Sequence, residues 1–524
     1  MSARVLALGI DAGSPVLLRR WAGDGTMPHL AELIARGAHG TMRGIDGFHI
    51  GSTWPSFYTG CTPAAHGVHY LLQLRPGSYE LDNPLLRENG VRRPPFWRAL
   101  SLAGKDVAIL DVPLSRLDPD IRGIQTVEWG GHDSVFGFRA TPPGLAQRVE
   151  TIAGRYPLGP SCDGIRTSSG DFEAFTGLLT RAVRAKTALT LQLLRERNWD
   201  LLLQVFTEAH CAGHQCWHLH DASHPAHDPL LRPSGEDPLR QVYRAIDDAI
   251  GTLMREASDA TVIVFSAHGM AHWYGGQFLL REVLFRLGLA TRPPAPAGAG
   301  LRTRLVDGLG RVYRALPAAI RTRLSPVRAS VLGESRKRPP SLGVDTRSSR
   351  CFVVPNGQPV AGIRVNLRGR EPSGVVAPGR EAEDLFALAS ERLLAIVDER
   401  TGRPAFRRVA RTADLYRGES SNCLPDLLVE WSEDPPTGCR QMAGGKASRV
   451  ALTSPEIGRI EGENTYARSG EHRPDGFLAA AGPGILPGAL PDVSLLDLAP
   501  TLCGLVGVEL DAVEGRAIPG LCRS

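Results

Sequence analysis

Arg4-Val5-Leu6-Ala7-Leu8-Gly9-Ile10, followed at once by Asp11, is the stretch on which the fold turns. It is short and apolar at nearly every position, the pattern of a buried strand. Met27-Pro28-His29-Leu30 then opens a helix, with Pro tolerated in the first turn. Similar apolar runs recur at Val107–Leu110, Leu201–Phe206, Ala260–Phe265 and Leu427–Val429, with helical patterns over Phe172–Arg197 and Arg240–Glu256. Strands alternating with helices predict an α/β fold whose mostly parallel sheet is covered on both faces. Functional residues of such sheets gather at the carboxyl ends of strands. Asp11, Glu208 with His210, and Ser266-Ala267-His268 each follow an apolar strand directly. That coincidence points to an enzyme.

The bulk properties agree. A chain of 524 residues exceeds one compact core and suits a large α/β body with insertions. With 42% hydrophobic and 22% charged residues, wholesale disorder is excluded. No window approaches ~18 uninterrupted apolar residues, so no membrane-spanning helix is expected. The opening residues resemble a first core strand more than a signal peptide. Nine cysteines, scattered from Cys61 to Cys522 without CxxC pairs, fit a reduced cytoplasmic chain.

The net charge of +5 is local. Only Lys105, Lys186, Lys337 and Lys446 are lysines, and an Arg-, Ala- and Gly-rich composition reflects base bias in a genome. Between Arg292 and Arg350 stand 13 basic residues against Asp307, Glu334 and Asp345, a surplus of ten. The remainder is slightly acidic, which argues against a specific nucleic-acid surface. This segment opens with a Pro-rich linker, Arg292 to Gly298. Leu305, Leu309, Val312, Leu316, Ile320, Leu324 and Val327 then predict a basic amphipathic helix pair interrupted at Pro317. Residues 292–350 read as an insertion or cap on a body formed by 1–291 and 351–524. A docking surface for an acidic partner or a membrane face is the alternative.

Six of the fifteen histidines fall between His210 and His227. Imidazole is the commonest protein ligand for zinc and similar ions. His210, His214 and His218 repeat every four residues and share one face if helical.

Taken together, the motifs resemble one family. Gly9-Ile10-Asp11-Ala12-Gly13, Met27-Pro28-His29-Leu30, Thr53-Trp54-Pro55-Ser56 and Pro63-Ala64-Ala65-His66-Gly67-Val68 come first. Glu208-Ala209-His210-Cys211-Ala212-Gly213-His214, Phe265-Ser266-Ala267-His268-Gly269-Met270, Gly362 to Val376 and Pro425-Asp426-Leu427-Leu428-Val429 follow. Glu471-His472-Arg473 and Asp497 to Leu502 complete the order. In that order they are similar to type I phosphodiesterase/nucleotide pyrophosphatase proteins of the alkaline phosphatase superfamily. The resemblance implies an alkaline-phosphatase-like three-layer sandwich with a largely parallel central sheet and cap or insertion segments. It implies a metal-dependent hydrolase or phosphoryl-transfer enzyme acting on a phosphodiester, phosphomonoester or related anionic ester. Thr53 takes the place of the family's nucleophile, and in-line attack yields a phospho-threonine that water releases. Two divalent ions, usually zinc, lie ~4 Å apart in such sites. Asp11, Thr53 and His268 align with one set of ligands, and His210, His214 and His472 with the other.

Two departures matter chemically. His210 replaces the aspartate of the family's Asp-x-x-Gly-His, and Ala267 replaces the aspartate of its Ser-Asp-His-Gly-Met. The pattern's three ligand carboxylates shrink to Asp11 alone, and anionic compensation for two dications falls with them. We therefore expect one ion, zinc or another divalent metal, held firmly by three histidines and a second held weakly. Glu208, two residues before His210, is the nearest source of missing charge. Ser56, where many relatives carry Asn, and His218 are candidates to touch substrate or support the ligands; His66 reads as structural. The expected partner is a small anionic substrate, and a homodimer is allowed. The lost aspartates keep open an alternative: a catalytically weakened relative that binds an anionic ligand or partner, or a biosynthetic enzyme with altered chemistry.

Overall fold

The computed structural model describes residues 4–131, 134–159, 161–294, 341–442, 445 and 447–522. Its centre is a ten-stranded sheet. Five strands, Gly123–Val127, Val107–Leu110, Leu201–Phe206, Val5–Ile10 and Thr261–Ser266, lie side by side in parallel. Asp475–Ala481 adds antiparallel to Thr261–Ser266 and carries Ala38–Arg43 on its other side.

Alternation along each strand builds the layers. Leu6, Leu8 and Ile10 join one apolar cluster, with Leu202, Phe206, Val262 and Val264. Helices Pro28–Arg36, Ser169–Glu196, Glu208–His220 and Pro238–Glu256 cover that face. Val5 and Ala7 point the other way, with Leu201, Leu203, Val205, Ile263 and Phe265. Helices Thr53–Thr59, Phe96–Leu102 and Leu498–Leu505 cover them. With every residue of the Val5–Ile10 strand buried, periodicity had to read as continuous rather than alternating. The expected three-layer sandwich is the observed one.

One strand goes elsewhere. Leu427–Trp431 is not part of the central sheet but pairs with Val360–Val365 and Phe406–Arg411 in a four-stranded antiparallel sheet. That sheet has its own apolar cluster, completed by helices Leu280–Arg286 and Arg380–Leu394. The helix pair expected over Leu305–Val327 lies outside the described residues. Among the described residues, no helix is long and apolar enough to cross a membrane.

Candidate metal centre

Three neighbouring strands in the middle of the sheet deliver residues at their carboxyl ends. Val5–Ile10 is flanked in parallel by Leu201–Phe206 and Thr261–Ser266, so Asp11, helix Glu208–His220 and His268 emerge side by side. After Asp11 the chain turns sharply: Ala12 has φ 50°, and the Gly13 amide donates to the Ile10 carbonyl at 3.1 Å.

His472 arrives from far along the chain. It sits on an antiparallel ribbon of Gly269–His272 and Gly470–Arg473, opposite Met270. The ribbon packs tightly on helix Glu208–His220. A Cβ at Gly470 would lie 2.2 Å from the Gly213 carbonyl oxygen, and one at Gly213 would lie 2.6 Å from Met270 Cγ. Two glycines thus set the separation of helix and ribbon, and with it that of His214 and His472.

The imidazoles converge. His210 Nε2 is 2.9 Å from His214 Nε2 and 2.8 Å from His472 Nε2. The three ligand atoms all lie within 4.8 Å of one another. Tetrahedral zinc with Zn–N of ~2.0–2.1 Å places neighbouring nitrogens ~3.3 Å apart, which this cluster can accommodate. Each ring also has an oxygen close to its Nδ1, hydrogen-bonded there in the case of His214. His214 Nδ1 donates to the Gly470 carbonyl at 2.8 Å. His210 Nδ1 is 3.3 Å from Asp11 Oδ2, and His472 Nδ1 is 2.8 Å from Glu471 Oε1. The Gly470 carbonyl puts the His214 ring proton on Nδ1 and leaves its Nε2 lone pair for a cation. The donor set fits one zinc-like ion.

The second position is poorer in charge. Asp11 Oδ1 accepts from Trp54 Nε1 at 2.9 Å and is 4.0 Å from His268 Nε2. His268 stacks on His472 with ring centroids 4.7 Å apart, and burial pushes its pKa well below the ordinary value. A neutral imidazole is the form that binds metal. Thr53, first residue of its helix, is fully buried and its Oγ1 has no hydrogen-bond partner. An orphaned buried hydroxyl costs ~1–3 kcal/mol, which a metal ion or phosphoryl group bound there would recover. Ala267 is packed in the apolar cluster with Trp54 and Phe265 and brings no charge.

Three candidates from the sequence make different contacts. Glu208 Oε1 meets Lys186 Nζ at 3.3 Å and accepts from the Tyr156 hydroxyl at 2.8 Å, so its charge is already matched. Ser56 Oγ lies 2.9 Å from His66 Nε2 and 3.0 Å from Ser52 Oγ, a tie that fits the structural reading of His66. His218 Nδ1 lies 3.0 Å from Ser469 Oγ, one residue before the glycine that carries His214's acceptor. It stands behind the centre, apart from the converging nitrogens.

The sequence profile of the type I phosphodiesterase/nucleotide pyrophosphatase family matches residues 5–339. The chain belongs to that family. No curated protein matches it in sequence. Phosphonoacetate hydrolase from Sinorhizobium meliloti 1021, in complex with phosphonoacetate, is similar at a TM-score of 0.52 and 14% identity, covering 95% of this chain and 94% of that one. The same hydrolase with phosphonoformate gives 0.51 and 15% over the same shares. Human ectonucleotide pyrophosphatase/phosphodiesterase 5 gives 0.46 and 12%, covering 98% and 97%. The hydrolase likeness shows a common alkaline-phosphatase-like fold.

This phosphodiesterase-family chain also holds charged groups at the centre that sequence reading missed. Glu471 is buried; burial raises its pKa, but the His472 ring and then Arg468 outweigh it and leave it below the ordinary value. It is therefore a second anion behind the histidines, beside Asp11. Its signal was adjacency to His472. Arg468 Nε and Nη2 donate to Asp163 Oδ1 and Oδ2 at 2.8 and 2.9 Å, and Nη1 donates to His214 Nε2 at 3.0 Å. Asp163 lies 305 residues away in sequence and gave no signal at all. These residues border a cavity of about 530 Å³, with Tyr466, Glu471 and His472 on its wall.

Proposed function

We propose that this family member is a metal-dependent hydrolase or phosphoryl-transfer enzyme for a small phosphodiester, phosphomonoester, phosphonate or related anionic ester. One observation carries the reading: three histidines converge within 4.8 Å of one another beside Asp11, which accepts from Trp54, the chain neighbour of a buried threonine whose hydroxyl has no partner. His210, His214 and His472 would hold the ion, which would supply Lewis acidity toward a substrate oxygen. Asp11 and Glu471 place negative charge beside two of those rings. Thr53 Oγ gives up its proton to solvent and forms the new bond to phosphorus, while the P–O bond to the leaving oxygen breaks and that oxygen departs with its electron pair and takes a proton from water. Neutral His268 and Asp11 would hold the threonine-side ion, and with Ala267 in place of a carboxylate they would hold it weakly. Water attack on the resulting phospho-threonine returns the free hydroxyl. Residues 292–350 would act as the cap or insertion over this body.

Ala267 favours a second reading, a relative that binds an anion without turning it over. Metal analysis of purified protein separates the cases, combined with assays on bis-nitrophenyl phosphate and a nitrophenyl phosphonate. We expect one tightly held zinc per chain, lost in His214→Ala. Thr53→Ala should lower turnover by about 10³-fold or more with zinc retained. Zinc-loaded protein that binds phosphate but cleaves neither compound would favour the second reading. Two tightly held ions would overturn the weak second position.

A further inference from the structure

Arg468 is a buried cation whose N–H is directed at the nitrogen that a metal ion needs. Its side chain is 9% exposed, it grips Asp163 through two parallel hydrogen bonds, and it lies over the Tyr466 ring at 5.0 Å. Asp163 is in turn tied to the histidine-bearing helix, accepting from Gln215 Nε2 at 3.2 Å. The guanidinium is therefore fixed on two sides, and its Nη1 reaches His214 Nε2 at 3.0 Å. One lone pair cannot serve both a guanidinium N–H and a dication. With an ion on His214, Nη1 repels it and must find another acceptor within a short reach. Asp163 already engages Nε and Nη2, and the adjoining cavity is where an anion can enter.

We infer that Arg468 seats an anionic oxygen of the substrate's phosphoryl or phosphonyl group beside the three-histidine ion, and that Asp163 is the positioning residue that aims it. This rests on the metal-dependent reading above and deepens it. A fixed guanidinium next to a single firm ion gives the bound group two positive contacts where the weak second ion supplies little. Charge-assisted hydrogen bonds of this kind are short and directional. The arrangement also makes Arg468 a competitor of the metal when no anion is present.

That competition supplies the test. Zinc affinity is measured by competition with a chromophoric chelator, and inorganic phosphate binding by calorimetry on zinc-loaded protein. In Arg468→Met we expect zinc to bind at least as tightly as in the parent and phosphate to bind roughly 10- to 100-fold more weakly. KM for a nitrophenyl phosphonate should rise with the phosphate dissociation constant. Arg468→Lys should recover part of the phosphate affinity, and Asp163→Asn should weaken it with zinc unchanged. A mere brace for His214 would give the opposite signature, weaker zinc and unaltered phosphate, and that result overturns the inference. If Arg468→Met does not fold, Asp163→Asn and Arg468→Lys decide by the same two readouts. Parent protein that retains no zinc defeats the metal-dependent reading itself, whereas an active, zinc-loaded parent with indifferent Arg468 and Asp163 variants defeats only this one.

Discussion

Thr53 and Lys186 are both fully buried polar residues, and their surroundings could hardly differ more. The threonine hydroxyl has no partner, whereas the Lys186 ammonium donates to the Gly130 and Val205 carbonyls and to Thr207 Oγ1, each at 3.0 Å, beside Glu208. Removing an oxygen that bonds to nothing forfeits no hydrogen bond, so Thr53→Ala should stay within about 1 kcal/mol of parental stability while losing turnover. Lys186→Met should cost about 3–5 kcal/mol in urea denaturation, because it strands a buried carboxylate. Adding Glu208→Gln should recover much of that loss; equal instability in the double variant would refute the explanation. Asp11, His210, His214, His268 and His472 were legible as a set because each stands in a motif. The roles of Glu208 and Asp163 were not, because partners 22 and 305 residues distant in sequence leave no local trace.

Elements were legible where burial makes their pattern continuous. Leu201–Phe206 and Val107–Leu110 begin and end where the apolar runs do. The same signal misplaced Leu427–Trp431, since a strand covered on both faces looks alike in either kind of sheet. The ribbon that delivers His472 is a contact between distant segments and could not be read. Its fit against helix Glu208–His220 depends on Gly470, where a Cβ meets backbone at 2.2 Å. Gly470→Ala should therefore cost about 1–3 kcal/mol by overpacking and lower zinc affinity at least tenfold as His472 is pushed away. Gly177→Ala, on the long Ser169–Glu196 helix and meeting only the Arg181 tip at 3.4 Å, should leave zinc affinity unchanged. Parental zinc affinity in Gly470→Ala would show that the glycine does not set the spacing.

At the scale of the whole molecule, buried histidines set the response to acid. Burial is the leading cause in pushing His49, His66, His69 and His218 down to about 3 and His224 to about 4. In the unfolded chain these rings charge below ~6.5, so between that pH and ~4 unfolding takes up protons. Stability is therefore present above about pH 6.5 and lost as the pH falls through that window. Each ring contributes up to ~1.4 kcal/mol per pH unit. We expect Tm to fall steeply below about pH 6, with at least about five protons taken up on unfolding near pH 5, measured by calorimetry in buffers of different ionisation enthalpy. A Tm that is flat from pH 7 to pH 5 would contradict this account.

The Gly269–His272 and Gly470–Arg473 ribbon brings together residues made at very different times. While the chain is being synthesised, His210 and His214 emerge long before His472, which can pair with Met270 only after some 200 further residues have followed. A growing chain therefore carries two thirds of the histidine cluster through about half of its synthesis and cannot close it. Under the metal-dependent reading, loading would come among the last events in maturation, and a prematurely terminated chain would lack the third histidine of the trap.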